Sequence, residues 1–499
     1  MKVTILTEGG RDIGYGHITR CTSICQAFEE IGIQPQLIVN GDETIEDLLK
    51  GKNYKVFNWL DGQQLLFEIL DNTNIVFVDS YLAEHGIYER ISEQIATSVY
   101  FDDNLRIEYP QGFVVNGAVF AEQLSYPAKK NITYLLGTRY TPLRKAFWDV
   151  AARPTRDSLK TIMVTFGGTD ICNLTPKVLK LLNDTYPKLL KKVTIGYGFE
   201  NTTEIEKLNN TNTELIYCPD GSGMKNVMLE SDIAISAGGQ TLYELARIGV
   251  PTIAMCTADN QLNNIRGWEK TGFVEYVGWC EDEKLTDIIL QKVELLKSKS
   301  IREDKGRIGN KLIDGTGSSE IVKELLTDVY KKQLVLRQAI FEDADDIFNL
   351  ANDDAVRTNS FNPDKIEWEH HLEWLRGKFA DSNCSFFIVE CFGRFSGQVR
   401  FDKALRPEGM LISMSLDKSI RGLGLSSFII NKSITKMLEI RKNVKFIEAH
   451  IRVENTPSIK SFKRAGFDFS KNTIANGCNV LVYTREIGNF KHQRQVSRQ

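Results

Sequence analysis

The sequence predicts an α/β chain: two Rossmann-like parallel-sheet lobes in tandem, followed by a mixed α+β domain. Three observations predict it. A length of 499 residues corresponds to about three domains at roughly 100–200 residues each. An apolar strand running into a glycine turn and then a helix-like stretch occurs twice, at residues 3–17 and again from residue 161. From residue 335 the rhythm changes to alternating strands, which fits a mixed sheet better than a third parallel one.

Taken in order, residues 3–6 form the first strand and residues 17–30 the helix that follows the glycines. Buried-strand candidates at 35–39, 75–78 and 98–101, spaced by helix-length stretches, complete a first lobe over residues 1–143. A polar, basic stretch leads to the second lobe, 158–328, with strands expected at 161–166, 192–195, 214–217, 233–236 and 252–254 and helical sequence thereafter. The third domain, 335–487, opens with an acidic helix at 342–352 and has strands at 386–389, 396–401 and 410–416. Residues 488–499 are polar and basic and are expected to be a flexible tail.

Composition excludes several classes. With 42% hydrophobic and 25% charged residues the chain is globular, and Lys+Arg 62 against Asp+Glu 65 offers no broad basic face for nucleic acid or anionic membrane. The opening apolar run is too short for a secretory core, and no stretch approaches the roughly 18 apolar residues of a spanning helix. The expectation is a cytoplasmic chain without membrane insertion. Nine scattered cysteines, with no CxxC pair, point to reduced thiols and away from disulfides or structural zinc. Cys21 and Cys25, one helical turn apart, read as small core residues.

The richest local signal is TEGGRDIGYGHITR, with Gly14, Gly16, His17 and Arg20 between a strand and a helix. Glycine lets backbone amides approach an anion, the helix start presents unpaired N–H groups, and an imidazole beside them can move a proton near neutral pH. In the second lobe Gly238-Gly239-Gln240-Thr241 precedes an amphipathic helix, so its amides and the Thr241 hydroxyl suit a pyrophosphate, with Glu244 one turn in to take ribose hydroxyls. Gly167-Gly168-Thr169 and Asn260-Gln261 are expected to line the cleft between the lobes.

These motifs, with VDSY at 78–81, FDD at 101–103 and DNQ at 259–261, resemble in order and spacing the UDP-sugar hydrolases of pseudaminic acid biosynthesis, over residues 1 to about 328. The resemblance implies a glycosyltransferase-B architecture in which UDP sits in the second lobe and the sugar is transferred to water. It makes His17 the base that activates water, places Tyr81 near the sugar with Asp79 beside it, and implies metal-free chemistry, although Asp102-Asp103 alone could suggest a metal site. A MurG-like UDP-sugar transferase, with His17 deprotonating an acceptor hydroxyl in place of water, is the alternative.

In the third domain Arg421-Gly422-Leu423-Gly424-Leu425-Ser426 follows a strand and opens a helix, again a phosphate-cradling arrangement. Downstream, Asn455, Ser458, Phe462 and Gly466-Phe467 keep a spacing that, with the loop, resembles the GNAT acetyltransferases. That resemblance implies acetyl-CoA as co-substrate, held at Arg421, Gly422, Gly424, Leu425, Ser426, Asn455, Ser458 and Phe462. The aromatic position often carries tyrosine, which protonates the departing thiolate, and Phe462 has no proton to give. Tyr483 is either a substitute donor or a core aromatic. His371 is either a surface histidine or the counterpart of one in aminosugar-acetylating relatives. The combined expectation is a bifunctional enzyme whose partners are a UDP-linked aminosugar and acetyl-CoA, its GNAT domain acetylating or, alternatively, only regulating.

Overall fold

The computed structural model describes residues 1–488 except 152 and 201. The tail expected at 488–499 lies, from residue 489 on, outside the described residues. The chain divides into two compact units at Val322/Lys323.

The first unit holds two parallel sheets. Strands β1 (Val3–Gly9), β2 (Gln36–Gly41), β3 (Asn53–Val56), β4 (Ile75–Asp79), β5 (Thr97–Phe101), β6 (Gly112–Asn116) and β7 (Ile132–Leu136) lie in the order β3-β2-β1-β4-β5-β6-β7. The inner strands β1, β4 and β5 are buried along their whole length, which is why they read as continuous apolar runs: helices cover both faces. The edge strand β3 is largely exposed. Helix α1 (Gly16–Glu29) follows β1. The sheet order reverses between β1 and β4, so their C-terminal ends border a crevice, the usual ligand position in open α/β sheets.

The second sheet runs β10-β9-β8-β11-β12-β13, built from β8 (Thr161–Thr165), β9 (Leu190–Ile195), β10 (Thr213–Tyr217), β11 (Ile233–Ala237), β12 (Thr252–Cys256) and β13 (Val274–Trp279). Its reversal falls between β8 and β11, the strands that precede the two glycine motifs. Helix α2 (Thr241–Ile248) starts beyond β11, and α3 (Leu262–Thr271) beyond β12. β13 interrupts the stretch expected to be helical. It is an edge strand with only Val274 and Val277 buried, so it carries no apolar run.

The two lobes touch directly. The Val119 amide donates to the Tyr243 hydroxyl (3.3 Å), and Asn263 Nδ2 donates to Asn104 Oδ1 (3.0 Å). One expectation is overturned: Cys172 and Cys280 are paired, their Cα atoms 6.4 Å apart. They are 108 residues apart in sequence, and only the sheet brings the loop after β8 to the end of β13. Cys21 and Cys25 are fully buried.

The second unit is a single mixed sheet, β14-β15-β16-β17-β18-β20-β19. Its strands are β14 (Leu334–Gln338), β15 (Ser385–Cys391), β16 (Arg394–Lys403), β17 (Gly409–Leu416), β18 (Phe446–Arg452), β19 (Asp468–Ala475) and β20 (Cys478–Glu486). Every pairing is antiparallel except β17 with β18. That pair is joined only where Gly409–Ile412 lies beside Phe446–Ala449, and beyond it the strands part. Helices α4 (Ala344–Ala351) and α5 (Trp368–Ala380) supply the smaller of two cores, around Ile347, Leu375 and Ile388. Helices α6 (Ser426–Ile440) and α7 (Thr456–Arg464) pack into the larger, around Ile429, Ile430, Phe462 and Ile447.

Candidate active site

A cleft of about 450 Å³ lies between the lobes of the first unit. Each of Gly14, Gly16, His17, Arg20, Tyr81, Gly167, Gly168, Thr169, Gly238, Gly239, Gln240, Thr241, Glu244, Asn260 and Gln261 lines it. Asp79, buried at the end of β4, stands directly behind His17.

The first-lobe side is a compact charged cluster. His17 and Arg20 sit three residues apart on α1 and so share a face. His17 Nδ1 lies 2.6 Å from Asp79 Oδ1, and Arg20 donates to both Asp79 oxygens from Nε and an Nη nitrogen, each at 2.6 Å. Burial opposes ionisation of Asp79, but Arg20 and His17 outweigh it and hold its pKa far below the carboxylate range. An ionised carboxylate only accepts, so Nδ1 carries the proton and Nε2 is the nitrogen left for chemistry in the cleft. Burial also pulls the His17 pKa down, yet Asp79 overrides it and the net shift is upward.

Arg20 reaches a second carboxylate, Asp103, at 2.7 Å and 3.1 Å, and stacks over Phe101 with its guanidinium carbon 5.0 Å from the ring centre. The Tyr81 hydroxyl donates to Asp103, while the Tyr81 ring meets His17 edge-on at 4.7 Å. Burial, then the Asp103 charge, push the Tyr81 pKa far up, so its phenol stays protonated. Tyr81 is aimed by Glu8, wholly buried on β1, which accepts the Tyr81 amide (2.6 Å) and the Ser80 hydroxyl. Asp102, the other half of the acidic pair, is committed to structure: its oxygens take the Leu105 and Arg106 amides and the Tyr109 and Tyr126 hydroxyls.

The second-lobe side is shaped by backbone. Gly167 has φ +82°, a left-handed value that glycine tolerates. Gln261 works as a brace: its Oε1 accepts the Gly238 amide (3.1 Å) and the Thr257 amide and hydroxyl (3.2 and 3.1 Å). Gln240 Nε2 donates to the Pro142 carbonyl at 3.0 Å. Glu244, expected to take ribose hydroxyls, is held at both oxygens by Arg144 at 2.7 Å. Burial lowers the Arg144 pKa, but Glu244 more than reverses this.

Sequence reasoning offered Asp103 only as half of a metal-like acidic pair, and it singled out none of Arg144, Glu8 and Tyr15, of which Arg144 and Tyr15 line the cleft and Glu8 supports Tyr81. The FDD and TEGGRDIGYGHITR motifs contain three of the four, and only their partners, dozens of residues away, reveal what they do.

In the second unit Gly422 and Gly424 have φ +80° and +73°, and nothing lies within 4 Å of a Cβ built on Gly422. Arg421 Nε donates to the Leu416 carbonyl (2.6 Å) and its Nη pairs with Asp353 (2.8 Å), fixing the loop to the end of β17. Leu425 is buried at the start of α6, where Ser426 is the first helical residue. Asn455 caps α7 by accepting the Ser458 amide (3.2 Å). The Phe462 ring is buried edge-on to Phe467, and Tyr483 is a core residue. The surface reading of His371 is overturned: it is 2% exposed and stacked on Trp368, and its Nε2–H donates to the Ala344 carbonyl (3.0 Å). Burial lowers its pKa.

Comparison with known proteins agrees with this division. Residues 161–311 match the glycosyltransferase family 28 C-terminal domain, and residues 333–468 match the acetyltransferase (GNAT) domain. The chain is 22% identical over 503 residues to the uncharacterized protein MJ1062 of Methanocaldococcus jannaschii, covering 94% of this chain and 97% of that one. It is 24% identical over 280 residues to the pseudaminic acid cytidylyltransferase and UDP-2,4-diacetamido-2,4,6-trideoxy-beta-L-altropyranose hydrolase of Helicobacter pylori, covering 54% of this chain and 47% of that protein. With the UDP-2,4-diacetamido-2,4,6-trideoxy-beta-L-altropyranose hydrolase of Campylobacter jejuni it shares 22% identity over 286 residues, 55% of this chain and 99% of that one. The chain is thus similar in its first unit to the UDP-sugar hydrolases of pseudaminic acid biosynthesis, and its second unit matches the acetyltransferase (GNAT) domain.

Proposed function

We propose that the first unit hydrolyses UDP-2,4-diacetamido-2,4,6-trideoxy-β-L-altropyranose to the free sugar and UDP, and that the second N-acetylates the 4-amino group of its UDP-linked precursor from acetyl-CoA. The observation that carries the hydrolase reading is the His17–Asp79 pair at 2.6 Å on the wall of the interlobe cleft. Water gives a proton to His17 Nε2 as its oxygen attacks the anomeric carbon. The bond from that carbon to the UDP oxygen breaks, and the electron pair leaves with the β-phosphate. Amides around Gly238–Thr241 at the start of α2 favour the charge that develops there. Tyr81 and Asp79 act beside His17, one toward the sugar and one behind the imidazole.

In the GNAT domain the open left-handed loop Arg421–Ser426 suits the acetyl-CoA pyrophosphate, and the parting of β17 from β18 suits its extended amide arm. Asn455 and Ser458, at the start of α7, are read as further contacts for acetyl-CoA. Phe462 supplies packing and no proton, so the thiolate takes its proton from water or another group. The reaction at the sugar is proposed to need no metal, since Asp102 and Asp103 are both engaged by protein groups.

Product analysis by NMR tests the reading. The wild type should release free sugar and UDP, and His17→Ala should lose at least about 100-fold, the scale of a missing general base. Intact substrate with the wild type would sink the hydrolase reading. The family 28 match of the second lobe favours one rival, a transferase, which would turn over only when an acceptor alcohol is added. Acetyl-CoA-dependent release of CoA with the 4-amino precursor tests the second unit, and binding without release would reduce it to a regulatory module.

A further inference from the structure

We infer that Asp103 is a positioning residue for the proposed hydrolysis: by taking up the charge of Arg20 it leaves the Asp79 carboxylate free to act on His17. The inference rests on His17 being the base. The geometry that carries it is the double engagement of one guanidinium. Arg20 gives two hydrogen bonds to Asp79 and two to Asp103, and its Nη also lies 3.3 Å from His17 Nδ1.

A cation this close to an imidazole opposes its protonation. Asp79 alone would be neutralised by Arg20, and a proton arriving on His17 would leave a net positive charge in a half-buried site. With Asp103 present, two carboxylates face one guanidinium, so the cluster carries one negative charge while His17 is neutral and none once His17 is protonated. Asp103 therefore makes proton uptake a neutralisation. The groups around His17 and its Asp79 partner are Arg20 and Cys21 from α1, Tyr81 from the loop after β4 and Asp103 from the loop after β5. Among them Tyr81 keeps its proton and Cys21, 3.5 Å from Asp79, is pushed by burial toward the neutral thiol, so neither adds a charge. The direction of the Asp103 influence on His17 agrees: it raises the pKa where Arg20 lowers it.

The test is an NMR titration of the His17 imidazole in the full chain without substrate, its resonance identified by its loss in His17→Ala. Asp103→Asn should lower the His17 midpoint by about one pH unit, the scale of a lost charge partner. Arg20→Gln/Asp103→Asn should return it to within about half a unit of wild type, a rescue that no merely structural role predicts. An unchanged midpoint in Asp103→Asn overturns the inference. If that variant does not fold, Arg20→Gln is compared with the double variant: a lower midpoint in the double supports the inference, and equal midpoints overturn it. Because no substrate is present, this result stands apart from whether the hydrolysis itself is observed.

Discussion

Tyr15 of the first lobe lies against Gly168 of the second so closely that a Cβ on Gly168 would fall 2.4 Å from the Tyr15 ring. The Tyr15 hydroxyl is anchored to Thr44 at 3.0 Å, so the ring cannot swing aside without breaking that bond. Gly168→Ala should therefore push the lobes apart at the point where the nucleotide is proposed to sit. Overpacking of this kind costs about 1–3 kcal/mol, and a loss of UDP affinity of about tenfold or more is expected by calorimetric titration. Unchanged affinity would show that the contact is not kept in solution.

Half-buried Arg144 holds the buried Glu244 in a bidentate pair, and removing the arginine strands that carboxylate. Arg144→Met should destabilise the first unit by about 3 kcal/mol, seen as a lower urea midpoint. Arg144→Met/Glu244→Gln should recover much of the loss. If both variants lose equally, packing and not charge is at work there.

Activity and one part of stability should slope in opposite directions with pH. The folded His17 pKa lies above 6.5, so its stabilising effect is fully present below that value and is lost as pH rises through the folded pKa. The proposed hydrolysis needs neutral His17, so its kcat/KM should climb over the same interval, with an acid limb centred above 6.5. Asp79 and Asp103 shift the other way, and their contribution is present above pH 3.8 and lost as pH falls through their depressed values. Urea denaturation of wild type and His17→Gln across pH 5–9 measures the first trend, and an advantage of wild type that grows with pH would contradict it.

Thiol counting decides the cysteine pairing. Denatured without reductant, the chain should show seven reactive thiols, and Cys172→Ser should then expose Cys280 as a new one. Nine thiols in the unreduced wild type would mean that the pair is not formed. Where it is formed, reductant should lower the melting temperature of the wild type and leave that of Cys172→Ser in place, since the cross-link restrains a long loop in the unfolded chain.

The parallel sheets were legible because burial on both faces writes strands such as Ile75–Asp79 as unbroken apolar runs. Edge strands escaped: Asn53–Val56 and Val274–Trp279 bury too little to leave a pattern. His17 and the glycines around it stand together in the chain, so local spacing was enough to mark them. Asp103, Arg144 and the Cys172–Cys280 pair depend on partners that only tertiary structure supplies, and no periodicity encodes a partner 100 residues away. His371 misled because EWEHHLEWL looks polar, while the helix turns that one imidazole into an aromatic pocket of Phe348, Trp368 and Trp374.

Glu8 lies on β1 under the loop that carries Tyr81. By binding the Ser80 hydroxyl and the Tyr81 amide from beneath, it fixes the loop that carries Tyr81 before any ligand arrives. The conformational entropy of that loop is therefore lost when the protein folds and not again when the proposed sugar substrate binds, a difference of roughly 1–2 kcal/mol for each backbone residue so held. Glu8→Gln would keep the shape but weaken the tether, and the loop's disorder would then be charged to every binding event.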